Sequence, residues 1–162
     1  MVSIDRVPRP ALLDLRVAPA QQRFVGHVVD LLADAQSRPS ADPLAFVLGE
    51  QAIGLCCIEC EPRTIAPIDF DAPTVGLRGF FIDARWQGRG LGRRALTALL
   101  DSLAQRHPAA RWLVLSVDED NAAALALYRQ AGFVDGAQRY HGASAGRQQC
   151  LLLRELAGDT LS

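Results

Sequence analysis

The chain has 162 residues, 49% of them hydrophobic and 22% charged, and a net charge of −1. That size and balance predict one soluble globular domain over 1–162, with its core at about 11–156, and exclude a disordered chain. The charge provides no basic field for nucleic acid and no polybasic segment for a membrane. All 17 basic residues are arginine, which excludes a Walker A phosphate loop and a pyridoxal phosphate Schiff base, since both need lysine.

In chain order, residues 1–10 are rich in proline and arginine and predict an extended lead-in, without the apolar core of a secretory signal. Leu13, Leu15 and Val17 alternate with small or polar residues and predict a strand. Phe24, Val28, Leu31, Leu32 and Ala35 fall at helical spacing and predict one amphipathic helix over 20–36. Leu44–Leu48 and 51–61 predict a hairpin turning at Gly49-Glu50. The proline-rich stretch 62–73 reads as a loop and 75–82 as a strand. Leu91, Ala95, Leu96, Leu99, Leu100 and Leu103 form one helical stripe, stopped by His107-Pro108. A buried strand at 112–117 follows, then a helix at 122–130 closed by Gly132, and two final strands, the last at 148–155. No apolar run is long enough to span a bilayer. The expected location is the cytoplasm. The order predicts an α/β domain on a mixed sheet rather than a doubly wound parallel one.

Cys56, Cys57 and Cys60 fall in one apolar run, and Cys150 in another. No zinc-ligand spacing is present, so the expectation is no metal and buried thiols in strands.

Two short patterns carry the functional expectation. Gln87-Gly88-Arg89-Gly90-Leu91-Gly92 lies between a strand and a helix. A helix N-terminus has N–H groups without internal acceptors and a positive dipole end, and glycine lets an anion approach the backbone. The pattern therefore suits a phosphate, with Arg89, Arg93 and Arg94 beside it. The dinucleotide fingerprint fails, because Arg93 stands where its third glycine belongs. A tight turn without a ligand is the other reading. About thirty residues on, Asn121 opens a helix whose Tyr128 lies seven positions later, so both side chains project from one face. Asn121 is also read as a plain N-cap, and Tyr128 as core.

Together, Q-x-x-G-x-G at 87–92 and N-x-x-A-x-x-L-Y-x-x-x-G-F at 121–133 resemble the GNAT family of N-acetyltransferases. A weaker similarity, over 13–25, Ile53-Gly54 and 80–88, is to the bacterial spermine/spermidine acetyltransferase branch. The resemblance implies the GNAT fold, a mixed and mostly antiparallel sheet of about seven strands flanked by three to four helices. It also implies acetyl-CoA as co-substrate. Its pantetheine arm would lie along Phe80, Phe81 and Ile82, where Gly79 suits a bend. Its diphosphate would sit on the N–H groups of Gln87, Gly88, Arg89, Gly90, Leu91 and Gly92, with Arg93 beside them as a further cofactor-binding residue, and Asn121 would bond the arm or its phosphate end. The amine would attack the thioester directly through a tetrahedral intermediate, with the N–H of Phe81 or Ile82 at the oxyanion and Tyr128 as general acid.

The expected acceptor is a primary amine of a small molecule, polyamine-like acceptors included. The alternatives are a protein or peptide amine, or a non-catalytic acyl-CoA-binding regulatory module. A homodimer is left open. The fourth-strand glutamate of some family members is missing from 77–82, so the base is unassigned among Glu59, Glu61, Asp83, Asp118, His27 and His141. A polyamine would call for acids along its groove, for which Asp30, Asp34, Glu59, Glu61, Asp69 and Asp71 are candidates, or merely solvated charges.

Overall fold

A computed structural model describes residues 1–141 and 148–156, with the backbone alone for 137–141. Its seven strands are β1 Val2–Ser3, β2 Ala41–Leu48, β3 Gln51–Glu59, β4 Thr74–Ile82, β5 Trp112–Asp118, β6 Val134–His141 and β7 Gln148–Glu155. They form one sheet in the order β1-β2-β3-β4-β5-β7-β6, antiparallel except for the pair β4 and β5. The helices are α1 Arg9–Leu13, α2 Pro19–Val25, α3 Val28–Ser37, α4 Leu91–Arg106 and α5 Ala122–Gln130. This is the mixed, mostly antiparallel α/β architecture expected. None of the described helices is long and apolar enough to cross a membrane.

Each face of the sheet is covered by helices with an apolar stripe. Leu96, Leu99 and Leu103 of α4 are at most 1% exposed, against Leu44, Ile58, Leu113 and Leu115 of the strands. Burial of a leucine side chain contributes roughly 2 kcal/mol, so this stripe fixes α4 on the sheet. On the other face Leu12, Val28 and Leu32 pack with Ala45, Leu55 and Phe81. Helix α5 ends in a Schellman pair of hydrogen bonds, Gly132 N–H to the Arg129 carbonyl at 3.0 Å and Phe133 N–H to the Tyr128 carbonyl at 3.1 Å.

Three expectations for the N-terminal region are corrected. The lead-in 1–10 is not merely extended: Val2 and Ser3 pair with Ala45 and Leu44, and Arg9 already begins α1. The strand expected at Leu13, Leu15 and Val17 is absent. Leu15 and Val17 are buried alternately, as read, but the backbone of Arg16 bonds a loop instead of a ladder. The single helix over 20–36 is two helices, because Gly26 adopts φ 86° and breaks the run. Among the cysteines, Cys56, Cys57 and Cys150 are buried, whereas Cys60 lies past the end of β3 and is exposed.

Asp83 ties this N-terminal region to the sheet. Its side chain is fully buried. It accepts hydrogen bonds from Arg16 N–H at 2.8 Å, Arg85 N–H at 2.8 Å and the Arg85 guanidinium at 2.8 and 2.9 Å, while Arg16 returns its carbonyl to Ala84 N–H at 2.8 Å. Burial alone would raise the Asp83 carboxyl, but these hydrogen bonds and the Arg85 charge hold it below the usual 3.8. A carboxylate depressed in the folded state stabilises it fully above the unfolded value, and that contribution is lost as pH falls through the depressed value. Asp83→Asn therefore lowers the free energy of unfolding by about 3 kcal/mol at pH 7. In urea titrations, the gap from the parent narrows steadily as pH falls below 3.8; an equal gap at pH 7 and pH 2.5 would contradict this account.

Candidate active site

Beyond Asp83 a 3₁₀ turn over Ala84–Trp86 leads into the glycine cluster. Gly88 and Gly90 both have left-handed backbone, φ 75° and 71°, and Gly90 is the N-cap of α4. The first intrahelical acceptor used is the Gly90 carbonyl, from Arg94 N–H at 3.2 Å. The amides of Leu91, Gly92 and Arg93 thus precede any helical partner, and the dipole end of a sixteen-residue helix is directed outward. A Cβ on Gly88 or Gly90 would meet nothing within 4 Å, so open space lies over the turn. The Gln87 amide nitrogen is engaged within the protein. It donates to Gln21 Oε1 at 2.9 Å and to the Ile82 carbonyl at 3.0 Å, bracing the turn. Arg89 lies over the Trp86 ring at 5.1 Å, and Arg93 is exposed on the outer face of α4.

Strand β4 pairs with β5 only from Thr74 to Gly76, against Trp112 to Val114. From Leu77 onward the two strands part. Against β3, the register slips where Leu55 faces Phe81 and Cys57 faces Arg78, a bulge around Gly79 at φ 63°. The bend expected at Gly79 is therefore present. The β4 edge facing the gap carries backbone groups without ladder partners, which an extended ligand can satisfy.

Helix α5 closes the gap from one side. Asn121 caps it, accepting from Ala124 N–H at 3.2 Å through Oδ1, which leaves its amide nitrogen unused by the cap. Tyr128 is 7% exposed. It packs edge-on against Phe80 at 6.1 Å and Phe133 at 5.4 Å between centroids, and Phe80 continues to Phe46 at 5.4 Å. Burial, with the neighbouring Cys56 thiol adding to it, pushes the phenol well above its usual 10.0.

Two cavities meet in the gap. One, of about 310 Å³, is lined by Phe80, Phe81, Ile82, Gln87, Gly88, Gly90, Leu91, Gly92, Asn121 and Tyr128. Of the expected cofactor residues, only Arg89 and Arg93 lie outside it. The other, of about 710 Å³, opens on the α2–α3 side and is lined by Arg23, Asp34, Arg63, Arg78, Ser116 and Asp118 among others. Val25, Phe80, Asn121, Ala124 and Tyr128 line both. The site residues named from the sequence did not include Gln21, Val25, Ala124 and Arg78. Arg78 had a signal, a charge inside an otherwise apolar strand; Ala124 falls in the 121–133 pattern, and Gln21 and Val25 fall in the weaker similarity over 13–25.

The candidate bases separate clearly. Glu59 is fully buried and bonded by Arg38 and Ser40. Asp83 caps a turn, Glu61 and His27 are exposed, and the His141 side chain is outside the described residues. Of the five whose side chains are described, Asp118 lines the larger cavity described above, and it accepts from Asp120 N–H at 3.0 Å. Of the acids expected to suit a polyamine, only Asp34 lines the larger cavity. No cluster fit to hold a metal occurs among the described residues.

Residues 9–133 match the acetyltransferase (GNAT) family model. The spermine/spermidine N(1)-acetyltransferase of Bacillus subtilis strain 168 is 33% identical over 77% of this chain and 80% of its own. The N-alpha-acetyltransferase RimI of Mycobacterium tuberculosis is 37% identical over 77% and 75%. Among solved structures, a GNAT-family protein from Desulfovibrio desulfuricans superposes with TM-score 0.67 at 20% identity, covering 93% of this chain and 95% of that one. The ribosomal-protein-S18-alanine N-acetyltransferase of Escherichia coli gives 0.58 at 23%, covering 82% and 81%.

The buried phenol yields a spectroscopic expectation. The chain has two tyrosines, and Tyr128 stays protonated through pH 10 in the folded protein. Because the unfolded chain ionises near 10.0 and the folded one later, the stabilisation is complete below pH 10 and is lost as pH rises above it. Ultraviolet titration of the parent shows a late phenol that Tyr128→Phe removes; loss of a phenol titrating near pH 10 instead would refute the burial assignment.

Proposed function

The chain belongs to the acetyltransferase (GNAT) family and is an acyltransferase, and from that premise we propose that it moves an acetyl group from acetyl-CoA to the primary amine of a small molecule. The carrying observation is the pair of cavities that share the same tyrosine in their walls. One has the chemistry of a long, phosphorylated thioester. The other, at about 710 Å³, falls in the size range of small-molecule sites, which favours a small amine over a protein chain lying in an open groove.

The residues present fit acetyl-CoA. The glycine turn leaves backbone amides facing open space, which suits a diphosphate. The unpaired edge of β4 beyond Gly76 suits the amides of a pantetheine arm, and Asn121 offers its amide nitrogen from the other wall. When bound, acetyl-CoA supplies the acyl carbon, whose bond to sulfur is exchanged for a bond to the acceptor nitrogen.

The protein's share is positioning and proton traffic. The backbone N–H group of Phe81 or Ile82, on the parted strand, stabilises charge growing on the acyl oxygen. Tyr128 delivers a proton from its hydroxyl to the departing thiol sulfur and recovers one from solvent. A phenol carries its proton at neutral pH, and burial makes that proton harder still to lose. Giving that proton to a thiolate of ordinary pKa, about 8.5, would run uphill, but a sulfur in the same desolvated pocket is raised as well. The acceptor ammonium, of pKa about 10, must shed a proton first. Asp118, which lines the larger cavity, takes it, directly or by way of solvent.

Coenzyme A binds in calorimetric titration, and Tyr128→Phe retains that affinity within about twofold while kcat falls about a hundredfold or more. Normal turnover of the variant at saturating amine removes the acid role, and absence of coenzyme A binding by the parent removes the proposal. Gly90→Val, which forces a branched side chain into left-handed backbone and into the cradle, weakens coenzyme A binding at least tenfold. An affinity equal to the parent's would take the diphosphate off this turn.

A further inference from the structure

The larger cavity lacks the charge a polycation needs. Its ionisable lining is Arg23, Arg63 and Arg78 against Asp34 and Asp118. Asp34 is paired with the Arg38 guanidinium at 2.8 Å, and Asp118, which accepts a backbone N–H at 3.0 Å, is one carboxylate against three arginines. Nor do the other acids nearby supply it: Glu59 is buried on Arg38, and Asp69 is paired with Arg63 at 2.9 Å.

Arg78 stands out in that lining. It interrupts an apolar strand and is half buried. One terminal nitrogen donates to the Thr64 carbonyl, but its Nε is closed off from water and has no acceptor among the described residues. Buried donors are normally satisfied, and an orphan calls for an explanation. The groups facing it are Arg38, Asp34, Glu59 and Cys57. Burial, then the like charge of Arg38, disfavours the positive form of Arg78, while the two carboxylates partly offset this. An anion entering the cavity would meet a guanidinium short of both a hydrogen-bond acceptor and a counter-charge. Arg78 also precedes the Gly79 bulge, two residues before Phe80, which packs on Tyr128. At a strand rise near 3.3 Å, that separates the cation from the reacting region by about 7 Å of backbone.

We infer that the acceptor is a small amine bearing a carboxylate near its nitrogen, and that Arg78 receives that carboxylate as the specificity-determining residue. An arginine fork binds a carboxylate through two parallel hydrogen bonds. Rotating to make them gives the guanidinium the partner it lacks and turns the amine toward the gap between β4 and β5. This rests on the acetyl-transfer reading above and narrows its acceptor.

The test uses the full chain, saturating acetyl-CoA and thiol release. Acceptors come in pairs that differ only in that charge: a free amino acid and its amide, a dipeptide and its C-terminal amide, with spermidine as the polycation. The two pairs separate a free amino acid from a peptide as the source of the carboxylate. Within the preferred pair, kcat/KM is at least tenfold higher for the carboxylate, although the amide's less basic amine is more often unprotonated at neutral pH. Arg78→Gln brings that ratio to near one through KM, and Arg78→Lys restores part of it. A preference for the amide or for spermidine overturns the inference, as does a ratio that survives Arg78→Gln. Equal loss on both members of a pair reassigns Arg78 to holding the 62–66 loop through Thr64. Coenzyme A binding without turnover of any carboxylate acceptor overturns this inference and leaves the cofactor reading standing, whereas failure to bind coenzyme A overturns the reading beneath it.

Discussion

The early parting of β4 from β5 is the constraint from which the site follows. Parallel pairing stops after Gly76 and Val114, and the bulge at Gly79 turns the rest of β4 away from the ladder it shares with β3. A split of this kind leaves backbone donors and acceptors unpaired in the middle of a sheet, where they would ordinarily be costly. The protein keeps both flanks anchored instead. Strand β3 holds β4 on one side, and the seven residue pairs of β5 with β7 hold β5 on the other. The opening is therefore held on both sides, and its polar edges are available to a ligand.

What fills the walls of the opening is apolar and interlocked. Phe46, Phe80, Tyr128 and Phe133 form a chain of edge-on ring contacts running from β2 through β4 to α5. This chain fixes the tyrosine ring at the junction of the two cavities and also dries it, which is why the phenol holds its proton. The same packing thus positions the group and sets its chemistry. A looser pocket would admit water and return the phenol towards ordinary behaviour.

Asp83 plays the corresponding part on the phosphate side. By binding Arg16 and Arg85 together it fixes the segment 14–16 against the turn that leads to Gly88. Gln87 adds a second brace by joining α2 to the end of β4. The glycines of the turn contribute no side chains to hold its shape, so Gln87 and the neighbouring segments hold it. The charges on the acceptor side are disposed differently. Asp34 is paired with Arg38 and Arg63 with Asp69, while Arg78 keeps an unfilled donor in the larger cavity.

Local patterns in the sequence determined the elements that carry the chemistry. The stripe of α4, the Asn121 to Tyr128 helix with its Gly132 stop, the Gly49-Glu50 hairpin and the glycine turn were legible because each depends on periodicity or on residues adjacent in the chain. The N-terminal region was misread for the opposite reason. Val2 and Ser3 are strand because β2 offers an edge, Leu15 and Val17 are not strand because Asp83 takes the Arg16 amide, and one helical pattern became two helices at Gly26. The likely-looking acids of the sequence sorted themselves only in space, where Arg38 claims Glu59 and Arg85 claims Asp83. Which side chains face a common cavity depends on contacts between residues dozens of positions apart, and no local pattern encodes such contacts. That is why Tyr128 could be named from the sequence, while its burial, the gap it faces and the arginine across from it were decided by the tertiary structure.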